Sequence, residues 1–441
     1  MAFQQPNAQF NLFEKGDTIN LGNKLPTIKH RYEQENDALT GPNRKYIADI
    51  YTQGFKNIKE LFDKGELINN TKACNYLRSL TDKIVKANPA LQNMAVDCFF
   101  SKSSAPNAYS AGNGVFVFNA GLFYKLDNES QVAFVICHEL SHIYFNHGEK
   151  RINHYITTLY SDEVQKQLRN IQKQEFKQRQ ALENLSKGFT FDNKRHSRDH
   201  EQEADSMAVV FMANTNFDVN GAITALAILD TIDGENSNTA QFLAETFNSP
   251  AYPFQKKWLS KEDGLLGGHA ALEVDKAMED SLKTHPDCKV RIKALAGAVA
   301  KNNNSTRAQN PVNDSLFHQL QRWMPYETIE YFYSAKHYSP ALYFTLQTLK
   351  AQHPNNILVT YTGNILNAIY ASQKKHQIGK CIEMPSPGYS ADYNSLLQFI
   401  TNLYTDEIAG ISYHFLKQYQ QQFSTDKDFQ YTLTTSKQNF N

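Results

Sequence analysis

Apolar residues fall at helical spacing from Asn43 onward: Tyr46, Ile47, Ile50, Tyr51, Phe55, Ile58, Leu61 and Phe62 form one stripe. A second helix is predicted over 71–87, with Leu77, Leu80, Ile84 and Val85 on its apolar face. The period then shortens. Residues 94–100 read as a strand, 101–109 as turn chemistry, and 115–118 as a second short strand flanked by Gly112, Gly114 and Gly121. Asn128 followed by Gln131 resembles a capping box, and the apolar run over 132–144 behind it predicts a helix buried on nearly all sides.

Further along, 161–187 is charged with helical spacing and reads as a solvated helical arm. Helices are predicted over 198–214 and 219–232. The tract 233–270, with its Gly, Asn and Pro, reads as a long irregular connection of the kind that forms lids or links. Pro286 opens a helix over 287–299, and 301–313 reads as a linker. Beyond Asp314 the chain is helical and aromatic, pairing two helices around Ser339-Pro340 and breaking at Pro354-Asn355-Asn356. Tyr338, Ala341, Leu342, Leu346, Leu349 and Pro354 resemble one tetratricopeptide-type (TPR-like) repeat, a unit that needs neighbours for stability. The division expected is an N-terminal arm over 1–40, a domain over 41–300, an all-α domain over 314–423 and a disordered tail over 424–441.

Composition narrows the function classes. Lys plus Arg and Asp plus Glu stand at 45 each in 441 residues, so no basic field points to nucleic acid. The longest apolar run, 132–137, is far short of the roughly 18–20 residues that cross a bilayer, so no membrane-spanning segment is expected. The first residues lack the basic and apolar regions of a signal peptide, which leaves a cytoplasmic protein or a mature form with its signal removed. The five cysteines, at 74, 98, 137, 288 and 381, include no CxxC pair and read as buried free thiols, with a Cys74–Cys98 bridge as the alternative.

The chemistry is concentrated in His138-Glu139-Leu140-Ser141-His142. On a helix, His138 and His142 project from one face a turn apart, so two neutral imidazoles can meet one zinc ion. Glu139, one step round, can reach a metal-bound water and act as its base. Two histidines and a glutamate on a helix predicted to be buried are costly unless they have a use. A catalytic zinc site has three protein ligands and an open position. A third histidine after a glycine is absent here, since position 145 is Phe and 148 is Gly. The best remaining ligand is Glu201 in Ser197-Arg198-Asp199-His200-Glu201-Gln202-Glu203-Ala204-Asp205, with Asp205 on the same face placed to accept a proton from a ligating histidine. His200 and Glu203 point elsewhere on that helix and read as structural.

With these residues in view, the sequence resembles the M48 family of zinc metallopeptidases, the gluzincin group that includes prenyl-protein endopeptidases and bacterial envelope proteases. The resemblance covers about 94–295 in four blocks: Asn107-Ala108-Tyr109 through Val115 to Gly121-Leu122, His138 to His147, Ser197 to Asp205, and Thr284-His285-Pro286 with Arg291-Ile292. It implies a mainly helical α+β fold, with a zincin-like catalytic domain containing a small β-sheet and an all-α, TPR-like C-terminal domain. It implies one Zn2+ per chain held by His138, His142 and Glu201, with Glu139 as base. It also implies that 114–118 is an edge strand to which an extended substrate adds through Gly114, Val115, Phe116 and Val117. His285 is implied as a transition-state stabiliser or conditional extra ligand. Arg291 is expected to partner Asp205 or a nearby carboxylate, and His147 to stand just behind the ligands.

Two departures from the family pattern bear on the reading. Ser141 stands where the family usually has Gly, a small residue in either case. The transmembrane helices of membrane-embedded members are missing, which favours the soluble envelope branch and a processed periplasmic or cell-envelope chain, with a cytoplasmic location as the alternative. The expectation is a zinc metalloendopeptidase (EC 3.4.24-type) acting on unfolded or misassembled polypeptides, with protein partners through the C-terminal helices. The alternative is a chaperone or assembly factor whose peptidase site is latent behind the 233–270 loop.

Overall fold

The computed structural model describes residues 17–173, 198–232, 238–259, 288–302, 312–386 and 389–441. The far part of the predicted solvated arm, the tract 260–287 with Thr284-His285-Pro286, and the linker core lie outside these residues. The described chain falls into two compact units, one over 15–230 and 287–320 and the other over 231–286 and 321–441.

The first unit is built on a three-stranded sheet: β1 (Asp97–Ser101), β2 (Ala108–Gly112) and β3 (Val115–Asn119), in the order β1-β3-β2. β3 runs parallel to β1 and antiparallel to β2, with an irregularity in register between Ser110 and Gly112. Every residue of β3 is buried, as a continuous Val-Phe-Val-Phe run covered on both faces should be. One face packs on α1 (Leu25–Ala38), α2 (Arg44–Asp63) and α6 (His147–Leu159), through Ile28, Tyr32, Ile47, Tyr51, Ile58 and Ile156. The region read as a loose arm over 1–40 therefore holds a helix: Ile28 and Tyr32 bury on the sheet, an apolar pair too sparse to stand out in its polar surroundings. A cluster of tilted aromatic rings, Phe100, Phe118, Phe123 and Phe317, forms a second packed region.

This topology corrects the expectation for the substrate strand. β3 has a neighbour on each side, so Gly114, Val115, Phe116 and Val117 offer no free edge to an incoming strand. β1 is covered on its outer side by 66–68, where Ile68 N donates to Phe100 O and Lys102 N to Glu66 O. Among the described residues the open edge belongs to β2, in a stretch that reads partly as turn.

α3 (Thr71–Ala87) and α5 (Glu129–Tyr144) follow the predicted bounds closely, and the short α4 (Ala120–Phe123) lies between β3 and α5. Asn128 caps α5 by accepting from Gln131 N at 3.1 Å, and the Gln131 side chain reaches back to Asp127 N rather than to the cap residue. The buried Glu129 carboxylate accepts from Tyr76 Oη at 2.9 Å and from Asn313 N at 3.0 Å, fixing the start of α5. α7 (Asp162–Gln172) and a helix over 198–213, α8, follow, then α9 (Gly221–Ile232). A Cβ at Gly221 would stand 2.7 Å from the Ser130 backbone, so a glycine there lets α9 approach the first turn of α5.

The second unit is helical: α10 (Thr239–Thr246), α13 (Tyr338–Ala351), α14 (Asn356–Lys374), α15 (Ala391–Asn402), α16 (Thr405–Gln418) and α17 (Lys427–Phe440). α11 (Cys288–Asn302) belongs to the first unit, and α12 (Asp314–Ser334) runs from the first into the second. α14 packs on α13, α16 and α17. Its Asn367 Oδ1 accepts from Ser412, Ser436 and Asn439 at 2.9–3.2 Å, a buried polar knot joining three helices. Two expectations change here. The supposed tail over 424–441 is helical, with Phe429 wholly buried and Asp426 capping through Phe429 N. The tract read as irregular contains α10 and a turn at 256–258, tied down by Lys257–Glu407 at 2.6 Å and by Asn402 Nδ2 donating to Trp258 O at 3.3 Å. Among the described residues no helix is long and apolar enough to cross a membrane, and the five cysteines are free.

Candidate metal centre

α5 carries His138, Glu139 and His142, and α8 brings Glu201 and Asp205 to face them. His138 Nε2 and His142 Nε2 stand 3.0 Å apart. Glu201 spans both, Oε2 at 3.4 Å from His138 Nε2 and Oε1 at 3.3 Å from His142 Nε2. Behind His138, Asp205 Oδ1 is 2.9 Å from Nδ1. Arg291, from α11, grips Asp205 through Nε and Nη2 at 2.7 Å each and touches Glu201 through Nη1 at 3.2 Å.

A second chain of contacts runs from His142. Its Nδ1 is 2.8 Å from His147 Nδ1, and His147 Nε2 is 2.9 Å from Glu203 Oε2. Asn146, at φ 53°, makes the left-handed turn between α5 and α6 that brings His147 back toward α5, a conformation Asn tolerates better than most residues. His200 stacks on His147 at 4.2 Å and 12°. Glu203 and His200 thus turn toward the site instead of away, because α8 lies close enough to α6 for residues off the ligand face to reach His147.

Ionisation follows from burial and these charges. Burial presses the His138 imidazole down, but Glu201 and Asp205 outweigh it and carry the group up to about 10. Burial works to raise Glu201, yet His138, His142 and Arg291 hold it well below the usual carboxylate range. Asp205 is likewise lowered: burial opposes, and hydrogen bonds to Arg291 and His138 win. Glu139 moves the other way, since burial raises its carboxyl and the neighbouring histidines and a backbone hydrogen bond from Ser110 only partly offset it. Burial also holds His147 down to about 4, against the pull of Glu203.

α5 packs against β2. Ser110 is in register with Phe116 of β3, and β2 keeps its other edge open among the described residues. Tyr32 Oη donates to Ala111 O at 2.8 Å and covers the far end of that edge.

The donor set fits zinc. Two imidazole nitrogens and one carboxylate, all within 4.8 Å of one another, supply the borderline ligands that zinc takes in a three-ligand site. The two imidazole nitrogens, 3.0 Å apart, are close to the edge of about 3.3 Å expected of a tetrahedron with bonds of ~2.0–2.1 Å, and Glu201 presents one oxygen to each of them. His285, expected near this site, lies outside the described residues.

Residues 73–299, just over half the chain, match the family model described as Peptidase family M48. The span includes His138, His142, Glu201 and Arg291. No curated protein matches the chain.

Proposed function

Because the chain belongs to peptidase family M48, we propose that it is a zinc-dependent endopeptidase of unfolded or misassembled polypeptides. The observation that carries this reading is the convergence of His138, His142 and Glu201 beside the buried Glu139. His138, His142 and Glu201 hold the metal. When bound, zinc supplies a Lewis acid that polarises a peptide carbonyl and acidifies water. Glu139 takes a proton from the attacking water and passes it to the leaving amine nitrogen. A carboxyl raised by burial is a stronger base than a free carboxylate, which suits it to take up the proton. Asp205, clamped by Arg291, fixes His138 with its proton on Nδ1 and leaves Nε2 for the metal. An extended substrate pairs with β2 beside Ser110, the strand with the open edge above α5.

The test is removal of metal by a chelator, which is expected to abolish digestion of an unfolded protein, with stoichiometric zinc restoring it. A second reading rests on the helical unit 321–441: a TPR-like surface binding client proteins, in an assembly factor whose peptidase is latent. Suppressed aggregation of an unfolded client, without cleavage by the zinc-loaded protein, would favour it. A periplasmic or envelope location suits either reading.

A further inference from the structure

We propose that Glu203 and His147 form a positioning relay that sets the tautomer and orientation of His142, the ligand that Asp205 does not reach. The proposal rests on His142 holding metal through Nε2. A ring bound that way carries its only proton on Nδ1, so His142 Nδ1 donates across the 2.8 Å gap to His147 Nδ1. Two N–H groups cannot face each other at that distance. His147 is therefore the acceptor there, and its own proton sits on Nε2, pointing at Glu203 Oε2 2.9 Å away. Each donor has one acceptor, and the direction of the whole chain follows from the metal end.

Packing holds the relay in place. His147 is buried, stacked by His200 at 4.2 Å and by Phe145 at 5.4 Å, and sits just past the left-handed turn at Asn146. The two imidazoles are consequently supported by different means. His138 leans on a buried carboxylate neutralised by Arg291. His142 leans on a neutral imidazole whose far end is a carboxylate 45% exposed to solvent. The outer partner of a ligating histidine commonly contributes 10–100-fold in metal affinity, and here that partner lies one residue further out, on the surface of α8.

Exposure makes Glu203 the position to test, because replacing it leaves the core intact. Zinc affinity is measured by chelator competition for the wild type, Glu203→Ala and Glu203→Gln, with the cobalt-substituted absorption spectrum and the melting temperature of the metal-free proteins alongside. The relay predicts that Glu203→Ala weakens zinc about 10-fold or more and shifts the cobalt bands. Glu203→Gln, which keeps an acceptor oxygen, recovers most of the affinity, and the metal-free melting temperatures agree. Unchanged zinc affinity and cobalt spectrum in Glu203→Ala overturn the relay, as does a change confined to the melting temperature. A wild type that binds no zinc overturns the ligand assignment itself, a result distinct from zinc bound equally by wild type and variant.

Discussion

Arg291 holds both oxygens of Asp205 at 2.7 Å, and Asp205 Oδ1 in turn stands 2.9 Å from His138 Nδ1. The guanidinium serves as counter-ion to a carboxylate that would otherwise be buried alone, and it fixes which way that carboxylate faces. Removing the cation by Arg291→Met leaves a buried charge unpaired and is expected to cost ~3–5 kcal/mol in urea unfolding. Arg291→Lys does not rescue it, because an ammonium cannot reproduce the two-pronged grip. Asp205→Asn keeps the fold but weakens zinc by about 10–100-fold in chelator competition. Zinc affinity unchanged in Asp205→Asn would remove Asp205 from the account.

A backbone hydrogen bond from Ser110 of β2 helps hold down the Glu139 carboxyl that burial raises. Proline tolerates an edge strand and removes only that donor. Ser110→Pro is expected to lower kcat/KM about 10-fold, the equivalent of one hydrogen bond, with zinc content unchanged. Full activity in this variant would place the substrate away from β2.

Gly114 sits at φ 73°, and a Cβ there would come within 1.8 Å of Ala95 O. Gly114→Ala should therefore destabilise the fold by ~2 kcal/mol or more, from strain and backbone collision together. Chemical denaturation reads this directly, and a neutral outcome would contradict the close approach of Gly114 to Ala95.

Asp97 is buried between Lys24 at 2.8 Å and Arg31 at 2.7 Å. Burial works to raise its carboxyl, but the two cations win and the group lies below its usual range. A carboxylate lowered on folding contributes stability that is complete above its unfolded value of about 3.9 and is lost as pH falls through the folded value. Arg31→Ala should thus cost ~1–3 kcal/mol at pH 7, with the gap to wild type closing as the pH falls through the lowered value of the folded protein. A gap that stays constant down to acid pH would mean that Arg31 acts by packing alone.

The metal-ligand group was more legible in the sequence than the arrangement of the strands. His138, His142 and Glu201 converge because helical spacing dictates which side chains share a face, and spacing is visible in a single chain. Glu203 was misassigned for the same reason: its face on α8 was right, but what lies opposite that face depends on how α6 packs, which spacing does not encode. The family resemblance implies an open edge at 114–118, yet a fully apolar strand is the one a sheet buries at its centre. β2, Ala-Tyr-Ser-Ala-Gly, is quiet because an exposed edge needs little apolar surface. The C-terminal helix over Lys427–Phe440 was missed because Thr, Ser, Gln and Lys dominate it. Its few contacts, Phe429 and Leu433 with the Ser436–Asn367 hydrogen bond, suffice once α14 and α16 are there to receive them.

The central claim is that one metal, held by His138, His142 and Glu201, works with Glu139 to cut polypeptides. The most direct measurement pairs zinc content with digestion of an unfolded protein, for wild type and for Glu139→Gln. One zinc per chain in both, with cleavage by the wild type and none by Glu139→Gln, is the result expected. Cleavage surviving in Glu139→Gln, or a wild type that takes up no zinc, would contradict it.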